Sequence, residues 1–178
     1  MTTKLSDLSV SEVKDIEKKA EKAFKKLIKV KSCLSKGIVP ISEEQIQNLT
    51  IAGDIYKAPH EIILRCIRVY VDAVCNGDIK VKDYEKTAFE FGYLYAFCFQ
   101  QATLLNWQMY FLELGDFSEV ALVDKNRKFV LFPQMYIYRL FVKDKTDNVL
   151  LVTYNMIKDL DFELAKQTPD NNFSIILC

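Results

Sequence analysis

The chain has 178 residues, half of them hydrophobic and 27% charged, which suits a folded domain with a real core and excludes a disordered chain. Its 24 basic residues balance 24 acidic ones, so the chain as a whole has no attraction for nucleic acid or anionic lipid. A partner of that kind would need a local patch.

No run approaches the roughly 18 uncharged apolar residues of a membrane helix. The nearest, residues 88–99, is too short and contains Glu90. The first residues, MTTKLSDLSVSEVKD, lack the apolar core of a signal peptide. Five cysteines occur, Cys33, Cys66, Cys75, Cys98 and Cys178, an odd number without a CxxC pair. Free thiols in a reducing cytoplasm are the expected state, with no membrane association.

In chain order, a long amphipathic helix is expected within residues 1–37. Ser9 and Glu12 form a capping box, with Asp7 adding negative charge near the start. Val13, Ile16, Ala20, Ala23, Leu27, Val30 and Leu34 recur at alternating intervals of three and four, widened by Phe24 and Ile28. Gly37 is the expected C-cap, and Pro40 forbids continuation. A coiled-coil arm gripping a partner is one reading of this seam. Packing on the chain's own domain is the plainer one, since three heptads are marginal for an isolated coil.

Ser42 with Gln45 opens a shorter second helix, and Pro59 fits the first turn of a third. The third carries Ile62, Ile63, Cys66, Ile67, Tyr70, Val71 and Val74 on one face, and Asn76-Gly77 ends it. After the polar linker DIKVKD, Asp83 caps a central helix, roughly residues 84–105. Phe89, Tyr93, Ala96 and Gln100 form one stripe of it, and Phe91, Tyr95 and Phe99 another. Gly92 sits where a larger residue would hold a neighbouring backbone away.

Beyond Asn106 the period changes to that of strands. Trp107, Met109 and Phe111 alternate with Gln108, Tyr110 and Leu112, and Gly115-Asp116 reads as a turn. Residues 120–123 make a second strand, residues 124–127 a polar hairpin turn, and residues 129–132 a third strand ended by Pro133. The segment 134–142 reads as helix or strand, with helix favoured because Met135, Tyr138 and Phe141 share a face. Asp147 is placed to cap a last helix, though residues 149–154 would also serve as a strand. Residues 173–177 add one short strand. The expected architecture is one α+β domain over residues 1–178, with several helices around a small antiparallel sheet of three or four strands. Residues 84–142, the central helix and strand meander, are its organising unit.

Chemistry is sparse. The lone histidine, His60, stands six residues from Cys66, on a different face of one helix, so no nucleophile and base meet there. The cysteines lack zinc spacing. Asp159, Asp161 and Glu163 lack the glycine and spacing of a calcium loop and read as a solvated helix end. No GxGxxG, GxxxxGK or GxSxG pattern occurs among the five glycines. No catalytic, cofactor-binding or metal-binding residue is therefore assigned. Aromatic and basic residues mix at Tyr136, Tyr138, Arg139, Phe141 and Lys143, which suits base stacking. Yet the lysines of the first helix are balanced by Glu12, Asp15, Glu17 and Glu21, which argues against nucleic acid.

The unit from FGYLYAFCFQQATLLNW to FVLFPQMYIYRLF resembles a layout found in bacterial domain families of unassigned function. Gly92, Trp107, Phe132, Pro133, Tyr138 and Arg139 carry the likeness, over about a third of the chain. Small, neutral proteins of this kind resemble the immunity proteins of bacterial toxin systems. The resemblance implies a partner that is another protein, such as a toxin, and implies no catalytic residue. The expected function is thus a non-catalytic protein–protein interaction protein of immunity type, with Tyr136, Tyr138 and Arg139 as the candidate surface; the plainer reading of the two tyrosines is that they cap the core with their hydroxyls reaching water. The alternative is a small-molecule binder or enzyme with a pocket between the central helix and the sheet.

Overall fold

The computed structural model of the chain describes residues 3–30, 41–101, 106–142, 150–158 and 174–176. Local chemistry sets the helix ends. In α1 (Val10–Lys29) the Ser9 hydroxyl accepts from the Glu12 amide, and the Glu12 carboxylate accepts from the Ser9 amide at 2.7 Å. Ser42 and Gln45 repeat the arrangement for α2 (Glu43–Ala52), which ends on Gly53 in the left-handed region at a φ of 71°. α3 (His60–Cys75) follows Pro59 and ends at Asn76. Asp83 caps α4 (Tyr84–Gln101), its carboxylate accepting from the Lys86 amide at 2.9 Å.

The N-terminal helix starts where Ser9 and Glu12 place it, at Val10, and the segment before it, Thr3–Asp7, forms a strand that was not expected, β1. The helix stops at Lys29 with Val30 as its C-cap, ahead of Gly37. Leu34, Gly37 and Pro40 lie outside the described residues. Its seam packs on the chain itself: Ile16, Ala20, Ala23, Phe24 and Leu27 are buried, facing mainly α4. Val13, at the open end of the seam, stays exposed.

The sheet places β1, β2 (Gln108–Leu114), β3 (Phe117–Val123) and β4 (Phe129–Leu131) side by side, antiparallel throughout. A fifth strand, β5 (Ser174–Ile176), lies within the expected 173–177 segment and pairs with β4 in parallel. β2 and β3 turn through Gly115, at a φ of 61°, and Leu114 pairs with Phe117. The β3–β4 turn is organised by Asp124, which is buried. Its carboxylate accepts from the amides of Asn126 at 2.9 Å and of Lys128 and Phe129 at 2.7 Å each. Leu122, Phe129 and Leu131 join the main helical core, while Leu112, Ala121, Val123, Val130 and Phe132 form a second cluster. This alternation follows the two-residue period of a strand.

Pro133 ends the ladder and starts α5 (Pro133–Val142), so the 134–142 segment is helical. α6 (Leu150–Lys158) is helical too; Asp147 lies outside the described residues. α1, α3 and α5 surround α4, whose residues from Glu90 to Phe99 are all buried. Rings fill the space between the helices. Tyr70 stacks on Phe91 at 4.2 Å, Tyr95 lies 5.5 Å from Tyr136, and Phe99 meets Trp107 at 5.8 Å and Tyr154 at 4.8 Å. Trp107 and Phe97 are both buried. The result is an α+β fold whose helices pack on one another as much as on the sheet.

Candidate functional site: a lysine-lined trough over Glu90

Glu90 is the one carboxylate on the buried stretch of α4, and it faces α1. Its side chain is 3% exposed, and two lysines one helical turn apart on α1 close on it. Lys22 Nζ donates to one oxygen at 2.8 Å and Lys26 Nζ to the other at 2.5 Å. Burial pushes the Glu90 carboxyl up, but the two lysine hydrogen bonds outweigh it and hold the group below its ordinary range. The same negative charge, after burial, pushes the Tyr70 phenol up. Thus α1 is joined to α4 by an apolar seam and by one bifurcated ion pair at its edge.

Above this pair run two adjoining cavities of about 440 and 510 Å³, which share Lys22, Asp83, Lys86 and Glu90. The first, toward the start of α1, balances four lysines with four carboxylates and has Phe89 on its wall. The second, toward the end of α1, does not balance. Among the described residues, Lys22, Lys26, Lys29, Lys80, Lys82 and Lys86 line it against only Asp83 and Glu90. Both acids are already engaged, Glu90 with two lysines and Asp83 with the Lys86 amide. Among the described residues, Lys29, Lys80, Lys82 and Lys86 have no carboxylate at ion-pair distance. A neutral chain therefore concentrates positive charge in one concave place.

The pocket expected between the central helix and the sheet is not what these cavities form. No strand residue lines either of them, and both open on the α1 side of α4. His60 lines neither. Of the five cysteines, Cys66, Cys75 and Cys98 are free thiols, while Cys33 and Cys178 lie outside the described residues. Burial pushes the Cys66 thiol up to about 12 and the Cys98 thiol up as well, the opposite of what a nucleophile needs. Among the described residues no group of three or more histidine, cysteine or carboxylate side chains is placed to hold a metal ion. Asp159, Asp161 and Glu163 lie outside them. No helix among the described residues is long and apolar enough to cross a membrane.

The three residues read as an interaction surface are separated by α5. Tyr136 is 3% exposed and packs in the core against Tyr95. α5 turns this side toward α4, so the ring is covered by the core, as the core-capping reading of this tyrosine has it. Tyr138 is half-buried against the same core, and only Arg139 is exposed. An exposed aromatic does occur elsewhere. Tyr56 is 57% exposed, lies edge-on to Phe97, and donates its hydroxyl to Glu17 at 2.7 Å. Burial and then the Glu17 carboxylate push its phenol up to about 12.

Comparison with known protein families, with curated proteins and with solved structures finds no match to this chain. The site has to be interpreted from its own geometry.

Proposed function

We propose that this chain is a non-catalytic binding protein that engages another protein across the lysine-lined trough, in the manner of an immunity protein occluding a toxin. The carrying observation is the four lysines on the trough walls without an acidic partner among the described residues. Such a field accelerates encounter with a complementary surface and suppresses wrong partners. Tyr56 is a suitable aromatic anchor on the exposed surface.

A small-molecule site is the second reading, since each cavity has the volume of a ligand pocket. Its walls are mostly charged stems, however, whereas such pockets are lined mainly by apolar side chains.

The test is isolation of a complex with the tagged full chain from its source cells, followed by amine-reactive cross-linking and mass spectrometry. A stoichiometric complex with cross-links on Lys29, Lys80, Lys82 and Lys86 is expected. A complex whose cross-links avoid these four lysines would remove the trough from the interface.

A further inference from the structure

We infer that the trough takes an extended acidic segment of the partner, a run of aspartate or glutamate side chains laid along Lys29, Lys80, Lys82 and Lys86. The inference rests on the protein-binding reading and adds the chemistry of what is bound. Three observations choose carboxylates on a chain over other anions.

The first is the origin of the charge. Lys29 belongs to the last turn of α1, Lys80 and Lys82 to the connection between α3 and α4, and Lys86 to the first turn of α4. Folding brings three segments together so that four ammonium groups line one cavity. Among the described residues, the two acids that line it are engaged, Glu90 by Lys22 and Lys26 and Asp83 by the α4 cap. An incoming acid supplies the missing opposite charge, and such contacts between exposed charges weaken as salt rises.

The second is what the walls lack. No arginine lines either cavity, so the planar fork that grips carboxylate or phosphate in two places is missing, and binding rests on single-point ammonium contacts. The Lys86 amide at the start of α4, the kind of group that cradles a phosphate, already donates to Asp83. The lining rings are Tyr70, 4% exposed, and the half-buried Phe89, so no open ring face invites a nucleobase. Flexible ammonium groups suit carboxylates that are themselves on flexible stems.

The third is shape. The positive cavity runs into a charge-balanced one beside Phe89, and the two share four residues. An elongated occupant fits, acidic over the four lysines and less charged where it reaches Phe89.

The experiment uses the full chain and a fluorescein-labelled oligoglutamate, read by anisotropy. The quadruple variant Lys29→Gln, Lys80→Gln, Lys82→Gln and Lys86→Gln keeps the side-chain stems, and circular dichroism checks its fold. The control variant Lys4→Gln, Lys14→Gln, Lys57→Gln and Lys125→Gln removes the same charge elsewhere. Oligoglutamate should bind the wild type at low salt, bind the control within about twofold, and bind the trough variant about tenfold or more weakly. Equal loss in both variants means that net charge alone acts, and overturns the proposal. Single-stranded DNA or inorganic phosphate binding more tightly through the same four lysines overturns it in favour of a phosphate-bearing ligand. A partner complex cross-linked at the trough but not displaced by oligoglutamate overturns the acidic segment and leaves the protein-binding reading in place. Oligoglutamate held at the trough, with no protein complex formed by the chain, does the reverse.

Discussion

Gly92 of α4 and Gln134 of α5 meet backbone to backbone: a Cβ on Gly92 would stand 2.5 Å from the Gln134 Cα and 2.7 Å from its amide nitrogen. No side chain can rotate away from such a clash, because the obstructing atoms are main chain. The hydrogen side chain of Gly92 thus sets how closely α5 approaches the central helix. Overpacking costs about 1–3 kcal/mol, and main-chain obstruction puts this site at the upper end. Set against the roughly 1 kcal/mol of helix propensity alanine brings, Gly92→Ala should destabilise the protein by about 2 kcal/mol. Urea denaturation of wild type and variant decides it, and an unchanged or raised midpoint would mean α5 is not held this closely.

The Glu90 ion pair makes stability depend on acidity with a definite sign. The carboxyl is held below its ordinary value of 4.5 in the folded chain, despite burial, by Lys22 and Lys26. A carboxyl depressed by folding stabilises at pH above its unfolded value, and loses that contribution as pH falls through the folded value. Wild-type stability should therefore fall between about pH 5 and pH 3 more steeply than that of Glu90→Gln. At neutral pH the glutamine variant should be weaker by about 1.5–3 kcal/mol, toward the lower end. The reason is that Lys22 and Lys26, 55% and 34% exposed, can turn to water. Parallel pH profiles for the two proteins would show that the pair contributes nothing specific.

What the sequence disclosed follows how local the physics is. Ser9 with Glu12, Ser42 with Gln45, and Asp83 each declare a helix start within four residues, and the structure forms all three caps. Asp124 likewise organises its turn through amides up to five residues on. β1 was illegible because Lys4-Leu5-Ser6-Asp7 carries one large apolar residue, and its pairing partners, from Tyr110 to Leu114, are about a hundred residues away. The trough was hidden for a related reason. Lys22, Lys26 and Lys29 sit in a helix with balancing acids, and Lys80 and Lys82 read as a linker. Only the packing of α1 on α4 sums them in one cavity, an excess that a neutral total conceals. Tyr136 was legible as helical, but which side α5 turns inward depends on the approach at Gly92.

The thiols of Cys66 and Cys98 should resist alkylation in the native protein. Both are buried on facing helices, burial raises both, and proximity to Cys66 raises Cys98 further. The thiolate is the reacting species, so little of either is available at neutral pH. Iodoacetamide labelling mapped by mass spectrometry should leave both unmodified in buffer and modify both in urea. Rapid labelling of Cys66 in buffer would mean that the α3–α4 contact opens readily. Cys75 is half-buried with its Sγ 3.2 Å from the Leu140 carbonyl oxygen, and should react at an intermediate rate.

Tyr136, Tyr138 and Arg139 should separate under single substitution, because α5 gives each a different environment. Tyr136 is buried against Tyr95 and belongs to the main core, so Tyr136→Ala should cost about 3–5 kcal/mol, as large aromatic truncations do. Tyr138 packs on the same core from its edge, and its truncation should cost less. Arg139 is exposed, and Arg139→Ala should change stability by no more than about 1 kcal/mol, the range of an exposed interaction. A double variant of Tyr136 and Arg139 therefore confounds folding with binding, since loss of the first alone removes core packing. The informative pair is Tyr138→Ala and Arg139→Ala, each measured for thermal unfolding and for complex formation with the isolated partner. If the trough carries the interface, Arg139→Ala retains both stability and binding. A stable Arg139→Ala protein that no longer forms the complex would extend the interface to α5. A Tyr136→Ala protein as stable as the wild type would show that α5 does not pack against Tyr95 in solution.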